Sequence, residues 1–180
     1  MEIGVASSMD FLSIEDTLLH LDIKPGMTAC EFGCGSAHFT LTLAKKLRGG
    51  RVYALDIQEE KLSALKNVST SKKHHNVVTM LSDLEAPGGS GLKSNSLDIV
   101  VIPNLLFQSE KKYAIIKEAY RILKKTGQCL VLEWLNKNHL VSQERLIHPD
   151  QIKTMAETLH FSLKKEFAAG DYHYGLVLIK

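Results

Sequence analysis

The stretch Ala29-Cys-Glu-Phe-Gly-Cys-Gly-Ser-Ala-His-Phe-Thr40, ACEFGCGSAHFT, sets two glycines around a cysteine, directly after an acid and before a helical pattern. Gly33 and Gly35 let the backbone turn sharply and let another molecule approach it closely, at an entropic cost that a mere connector need not bear. A turn between strand and helix also aims the unpaired amides and positive dipole end of that helix, starting near His38, at whatever sits in the loop. A dinucleotide fingerprint would carry its third glycine where this chain has His38, so the loop suits a smaller ligand.

Outward from that loop, near-continuous apolar runs alternate with helical patterns. Met27 to Phe32, Val52 to Asp56, Val77 to Leu81, Leu97 to Ile102 and Cys129 to Trp134 read as strands of a buried parallel sheet. Between them, Phe39, Leu43 and Leu47; Leu62, Leu65 and Val68; and Ile115, Ala119, Ile122 and Leu123 carry helical spacing. A last helix opens near Pro149, with Ile152, Met155 and Leu159 inward, and the runs Leu163 to Ala168 and Tyr172 to Ile179 form a hairpin around Gly170-Asp171. The expected fold is α/β: a doubly wound, mostly parallel seven-stranded sheet with an antiparallel C-terminal hairpin strand and helices on both faces. Ser13 with Asp16 resembles a capping box opening a short helix that carries Leu18, Leu19 and Leu21 before the Pro25-Gly26 turn. Residues 1–180 are expected to form a single domain, with 1–24 a helical lid region against the core.

Composition narrows the classes. The chain has 180 residues, 44% of them hydrophobic, and a formal net charge of +2, too mild a bias to signal nucleic-acid binding. No apolar run approaches the roughly 18 residues of a membrane span, and the N-terminus lacks the basic and apolar regions of a secretory signal. A cytoplasmic location is expected, and three cysteines without framework spacing fit a reducing compartment. Cys30, Cys34 and His38 would not converge on a metal, so no metal site is expected, and Cys129 reads as a small core residue. The lysine pairs, Lys45/Lys46 to Lys164/Lys165, mostly on or beside helices, read as solvated faces, and His20, His74, His75, His139 and His160 as exposed or capping groups.

Ligands of such a sheet lie beyond the carboxyl ends of its strands. Glu31 closes the first strand. Asp56 ends the second, roughly twenty residues after the glycines, where an acid can accept hydrogen bonds from both ribose hydroxyls. Asp83, in LSDLEAP, ends the third within reach of an adenine amino group, and Ile57 and Leu84 can cover the ring faces. Phe107, Gln108, Glu133, Trp134, Tyr172 and His173 fall at the same edge under the remaining strands, because the start of an antiparallel terminal strand lies beside the ends of its parallel neighbours. With Asn104 they form the candidate acceptor wall.

CEFGCGSAHF, VYALD, LSDLE and LDIVVIPNLLF, followed by AYRILKKTGQCLVLEW and the closing hairpin, together resemble the class I S-adenosylmethionine-dependent methyltransferases over nearly the whole chain. The resemblance implies S-adenosylmethionine as cofactor and S-adenosylhomocysteine as product. It places Gly33, Cys34 and Gly35 at the methionine part, Asp56 at the ribose, Asp83 and Leu84 at the adenine, Asn104 near the sulfonium, and Glu31 against the loop and the amino group. Ala37 stands where the family often has a third glycine. The Asn/Asp-Pro-Pro-aromatic element of the family's nucleic-acid amino methylases is replaced by Pro103-Asn104-Leu105-Leu106-Phe107, which points to a small-molecule acceptor. Two other classes share parts of this pattern: a non-catalytic cofactor-binding module acting through a protein partner, and a nicotinamide oxidoreductase.

Overall fold

The structure, a computed structural model, describes residues 12–135 and 142–180. The first eleven residues of the expected lid and His139 lie outside the described residues. Chain order is α1 (Ile14–Leu18), β1 (Thr28–Phe32), α2 (His38–Lys46), β2 (Arg51–Asp56), α3 (Glu59–Ser71), β3 (Val77–Leu81), β4 (Leu97–Pro103), α4 (Lys112–Ile122), β5 (Leu123–Trp134), α5 (Pro149–Thr158), β6 (Ser162–Ala169) and β7 (His173–Ile179). Single 3-10 turns lie at Leu106–Gln108 and Gln143–Arg145.

Among the described residues the strands form one seven-stranded sheet in the order β3-β2-β1-β4-β5-β7-β6. β1, β2, β3, β4 and β5 pair in parallel, and β7 runs antiparallel between β5 and β6. The order reverses between β1 and β4, so a crevice opens at their carboxyl ends. Alternation along each strand divides the core. Cys30, Phe32, Val100, Ile102, Cys129 and Val131 face α4 and α5, while Ala29, Ile99, Val101, Leu130 and Leu132 face α1 and α2. Leu62 and Leu65 seat α3 against Leu41 and Ala54. The expected fold class is the observed one, and none of the described helices is long and apolar enough to cross a membrane.

Several local expectations are corrected. Leu19 is 71% exposed, because α1 ends at Leu18 and turns its next residue outward. Only half of the expected capping box is present, the Ser13 hydroxyl accepting from the Asp16 amide at 3.2 Å. Val68 also faces solvent, its neighbour Ser69 being buried instead. Leu123 is the first residue of β5 and not part of α4, and β5 begins six residues before the apolar run does. The extension is held at the far end of the sheet, where the Thr126 amide donates to the Lys180 carbonyl at 2.8 Å and the Lys180 amide to the Gly127 carbonyl at 3.1 Å. His148 caps α5 reciprocally with Gln151, a role the sequence reading did not assign.

Candidate functional site

The crevice at the β1/β4 switch point holds a cavity of about 560 Å³. Eight of the nine expected cofactor residues line it: Glu31, Gly33, Gly35, Asp56, Ile57, Asp83, Leu84 and Asn104.

The loop after β1 is built by backbone bonds to β2. The amides of Gly33 and Cys34 both donate to the Leu55 carbonyl, at 2.8 and 3.1 Å. Gly33 has φ +76, and a Cβ there would lie 3.3 Å from the Leu105 side chain, so glycine suits both the turn and the space. Asp56 then ties the loop to the next element. One carboxylate oxygen accepts from the Gly35 amide at 3.4 Å and the other from the Gln58 amide at 3.0 Å. The position of the frequent third glycine is filled by Ala37 in the left-handed region, φ 70, immediately before α2. An L-residue there carries a cost of about 1–2 kcal/mol.

Cys34 is the exception among the nine. Its side chain turns away from the cavity into the cluster of Ala37, Leu41, Ala54, Leu62 and Leu65. Burial first, then the Glu31 and Asp56 charges, push its thiol up to about 12, so it stays protonated. Glu31 faces α2, where the Thr40 hydroxyl donates to it. Burial raises the Glu31 carboxyl to about 8, with the Asp56 charge adding to the rise and the Thr40 bonds opposing it. Ile57 is 65% exposed, an apolar side chain held at the cavity rim. Asp83 is also exposed and accepts from the Glu85 amide at 3.0 Å, which shapes the LSDLE turn.

Sequence reasoning missed several lining residues. Lys61 contributes from α3, Ser82 and Glu85 from the loop after β3, and Phe39 from α2. Glu85 accepts from the Ser109 hydroxyl at 2.5 Å, joining the loops after β3 and β4 across the cavity wall. Gln108, expected in the acceptor wall, lines the cavity itself and donates to the Asn104 carbonyl at 2.7 Å.

The acceptor wall divides. Phe107, Glu133, Trp134, Tyr172 and His173 do not line the cavity, and consecutive residues at the end of β5 point to opposite sheet faces. Glu133 is completely buried, accepts from the Leu106 amide at 2.6 Å, and so braces the 3-10 turn. Burial raises it to about 8, with bonds from the amides of that turn opposing. Tyr174, its register partner on β7, is on the same face, donating to the Ile147 carbonyl at 2.6 Å. Trp134 and His173 pair across β5 and β7, their rings 4.0 Å apart. The Asn104 amide lies 3.2 Å from His173 Nε2, so Asn104 links the cavity to that pair.

A family model described as a methyltransferase domain matches residues 23–169. The chain belongs to this family. Its fold is that of the class I S-adenosylmethionine-dependent methyltransferases, and the family's cofactor is S-adenosylmethionine. A SAM-dependent methyltransferase structure from Aquifex aeolicus superposes with a TM-score of 0.83 at 20% identity, covering 94% of this chain and 90% of that one. Magnesium protoporphyrin IX methyltransferase from Synechocystis PCC 6803, solved with bound SAM, gives a TM-score of 0.72 at 16% identity, covering 93% and 76%. Among curated proteins, a demethylmenaquinone methyltransferase of Bacillus mycoides is 29% identical over 124 residues, 66% of this chain and 49% of the relative. The chain thus spans about half the length of the curated relatives it matches.

Proposed function

We propose that the chain binds S-adenosylmethionine in the 560 Å³ cavity and transfers its methyl group to a small-molecule acceptor, releasing S-adenosylhomocysteine. The observation that carries this reading is the convergence of Glu31, Asp56 and Asp83, from three successive strand ends, on one cavity roofed by an exposed Ile57. The donor set suits the cofactor. Asp56 takes the ribose hydroxyls, Asp83 the adenine amino group, Ile57 and Leu84 the ring faces, Gly33 and Gly35 the methionine backbone, and Glu31 its ammonium. When bound, S-adenosylmethionine would supply an electrophilic methyl group to a lone pair of the acceptor, leaving S-adenosylhomocysteine, with the acceptor's proton passing to solvent.

The residues of the chain orient and exclude water. The glycine loop, pinned to Leu55 and Asp56, holds the cofactor from one side, and Asn104 stands where the methyl would emerge toward the other half of the sheet edge. A small acceptor is supported by the likeness to a protein named for demethylmenaquinone and by the Pro103-Asn104-Leu105 sequence after β4. A cytoplasmic location accompanies this reading. Calorimetry with S-adenosylhomocysteine, followed by transfer of labelled methyl into a metabolite extract, tests it. Absence of cofactor binding overturns the reading outright, and binding without any labelled product leaves a cofactor-binding module in its place.

A further inference from the structure

The sheet has two edges, β3 and β6, and they differ in chemistry. A row of unpaired strand amides and carbonyls is a template for pairing with another chain, and folds blunt it with lysine, proline or a bulge. β6 carries such devices. Lys164 and Lys165 are exposed in mid-strand, Lys164 is paired with Asp22, and the register against β7 shifts between Leu163 and Lys165. β3 has none of them. Val77-Val-Thr-Met-Leu81 holds no charge and no proline, and its register with β2 is unbroken from Val77 to Leu81.

Which groups of β3 are free follows from its pairing with β2. In a parallel pair, alternate residues of a strand send both amide and carbonyl to the same neighbour. The Val52 amide donates to the Asn76 carbonyl at 2.9 Å and the Ser82 amide to the Asp56 carbonyl at 2.9 Å, so Asn76, Val78, Met80 and Ser82 face β2. The amides and carbonyls of Val77, Thr79 and Leu81 therefore point outward, and none of them bonds to another described residue. The side chains of these three share one sheet face. Val77 packs partly on the cluster of Leu62 and Leu65 beneath α3, whereas Leu81 is 64% exposed.

This outward row is complementary to itself. Two copies of β3 laid antiparallel about a two-fold axis at Thr79 set Thr79 against the partner's Thr79, Val77 against the partner's Leu81 and Leu81 against the partner's Val77. Each of these is a hydrogen-bonded pair that exchanges both its amide-to-carbonyl bonds, so the free groups of both edges are used together. The register also gives the exposed Leu81 an apolar neighbour across the strands. Charge agrees with it. Lys72 and Lys73 precede β3, while Asp83 and Glu85 follow it, so an antiparallel arrangement brings the basic end of each copy to the acidic end of the other.

We propose that the protein self-associates through β3, pairing it antiparallel with β3 of a second copy about an axis at Thr79, so that the two sheets continue into one. A single strand from each side makes a small interface, and the dimer is accordingly concentration-dependent.

Sedimentation velocity over roughly a hundredfold range of concentration tests this, the mass rising from the 20.0 kDa of one chain toward twice that value. Thr79→Lys and Thr79→Glu each set like charges directly opposite across the axis and should each stay monomeric. An equal mixture of the two should recover the dimer, because an axis at Thr79 places that residue against its own copy. Thermal unfolding checks that both variants fold. Amide exchange on the wild type needs no variant and decides the matter if they do not. At the highest concentration the outward amides of Thr79 and Leu81 should be protected along with the inward ones of Val78 and Met80, and on dilution Thr79 and Leu81 should lose their protection while Val78 and Met80 keep theirs. A protein monomeric up to about millimolar concentration, a dimer untouched by Thr79→Lys, folded variants that do not associate on mixing, or fast exchange at Thr79 and Leu81 within the dimer overturns the proposal.

Discussion

The amide of Gly35 donates to the carboxylate of Asp56 at 3.4 Å, so the acid at the end of β2 closes the glycine loop that follows β1. One residue therefore has two tasks, shaping the loop and facing the cavity. Asp56→Ala removes both. Loss of hydrogen bonds to a charged group costs about 1.5–3 kcal/mol, so the dissociation constant for S-adenosylhomocysteine should rise roughly 10- to 100-fold. Asp56→Asn, which keeps an acceptor for the loop, should fall between. Calorimetry giving wild-type affinity for the alanine variant would remove Asp56 from the ribose site.

The proposed placement of Glu31 at the cofactor's ammonium couples binding to protons. Its carboxyl, held near 8 by burial, is mostly protonated at neutral pH, and an incoming ammonium favours the charged form. Binding should release a proton, and affinity should strengthen as pH rises from 6 toward 8, by at most about tenfold per unit. Titrations in buffers of differing ionisation enthalpy count the proton. Glu31→Gln should abolish both the release and the slope; a wild-type protein that releases no proton at pH 7 would contradict the assignment.

Glu133 makes an analogous contribution to stability, with the sign set by its raised value. A carboxyl that titrates near 8 in the folded protein and near 4.5 unfolded holds its proton in the fold. Its stabilisation is complete below 4.5 and is lost as pH rises through 8. The melting temperature should accordingly fall between pH 6 and pH 9. Glu133→Gln keeps an acceptor for the Leu106 amide without the ionisation and should flatten the decline. Glu31 contributes in the same direction, so only the double glutamine variant should remove most of the slope. An unchanged slope in Glu133→Gln would show that Glu133 is ionised in the fold.

Ala37 tests the departure from the glycine pattern. Glycine would relieve the left-handed strain of about 1–2 kcal/mol but lose a buried methyl worth about 0.8 kcal/mol and admit more unfolded-state freedom. These terms nearly cancel. Ala37→Gly should change stability by less than about 1 kcal/mol, whereas Ala37→Val, β-branched at positive φ, should cost more than about 2 kcal/mol. Denaturant unfolding of both variants reads the difference, and a glycine variant less stable than the valine one would make Ala37 a packing residue.

How much of this was legible depends on the length of the signal. Parallel strands buried on both faces read as continuous apolar runs, so β1, β2, β4 and β5 were visible around Val52, Ile99 and Leu130, and the half-buried edge strand β3 was visible from its apolar run alone. Where only one turn of helix decides, as at Leu19, the apolar type of a residue does not reveal its side. The buried carboxylate of Glu118 illustrates a different limit. Its i, i+3 partner Arg121 could be read from the chain, but the Ser90 hydroxyl that donates to it at 2.5 Å comes from 28 residues away.

The succession of strands along the chain, the Gly33-Cys34-Gly35 loop and the acids Asp56 and Asp83 at successive strand ends were determined by the sequence itself. Each follows from local chemistry: apolar runs that must be buried, glycines that permit positive φ, and polar residues placed where the buried run stops. The partition of the acceptor wall was decided only in three dimensions. Glu133 and Trp134 are neighbours in the chain, yet the pleat turns one toward Leu106 and the other toward His173, and Asn104 meets His173 across 69 residues because β4, β5 and β7 lie side by side. Neither contact has a local signal, because strand pairing joins residues whose separation along the chain places no constraint on their separation in space.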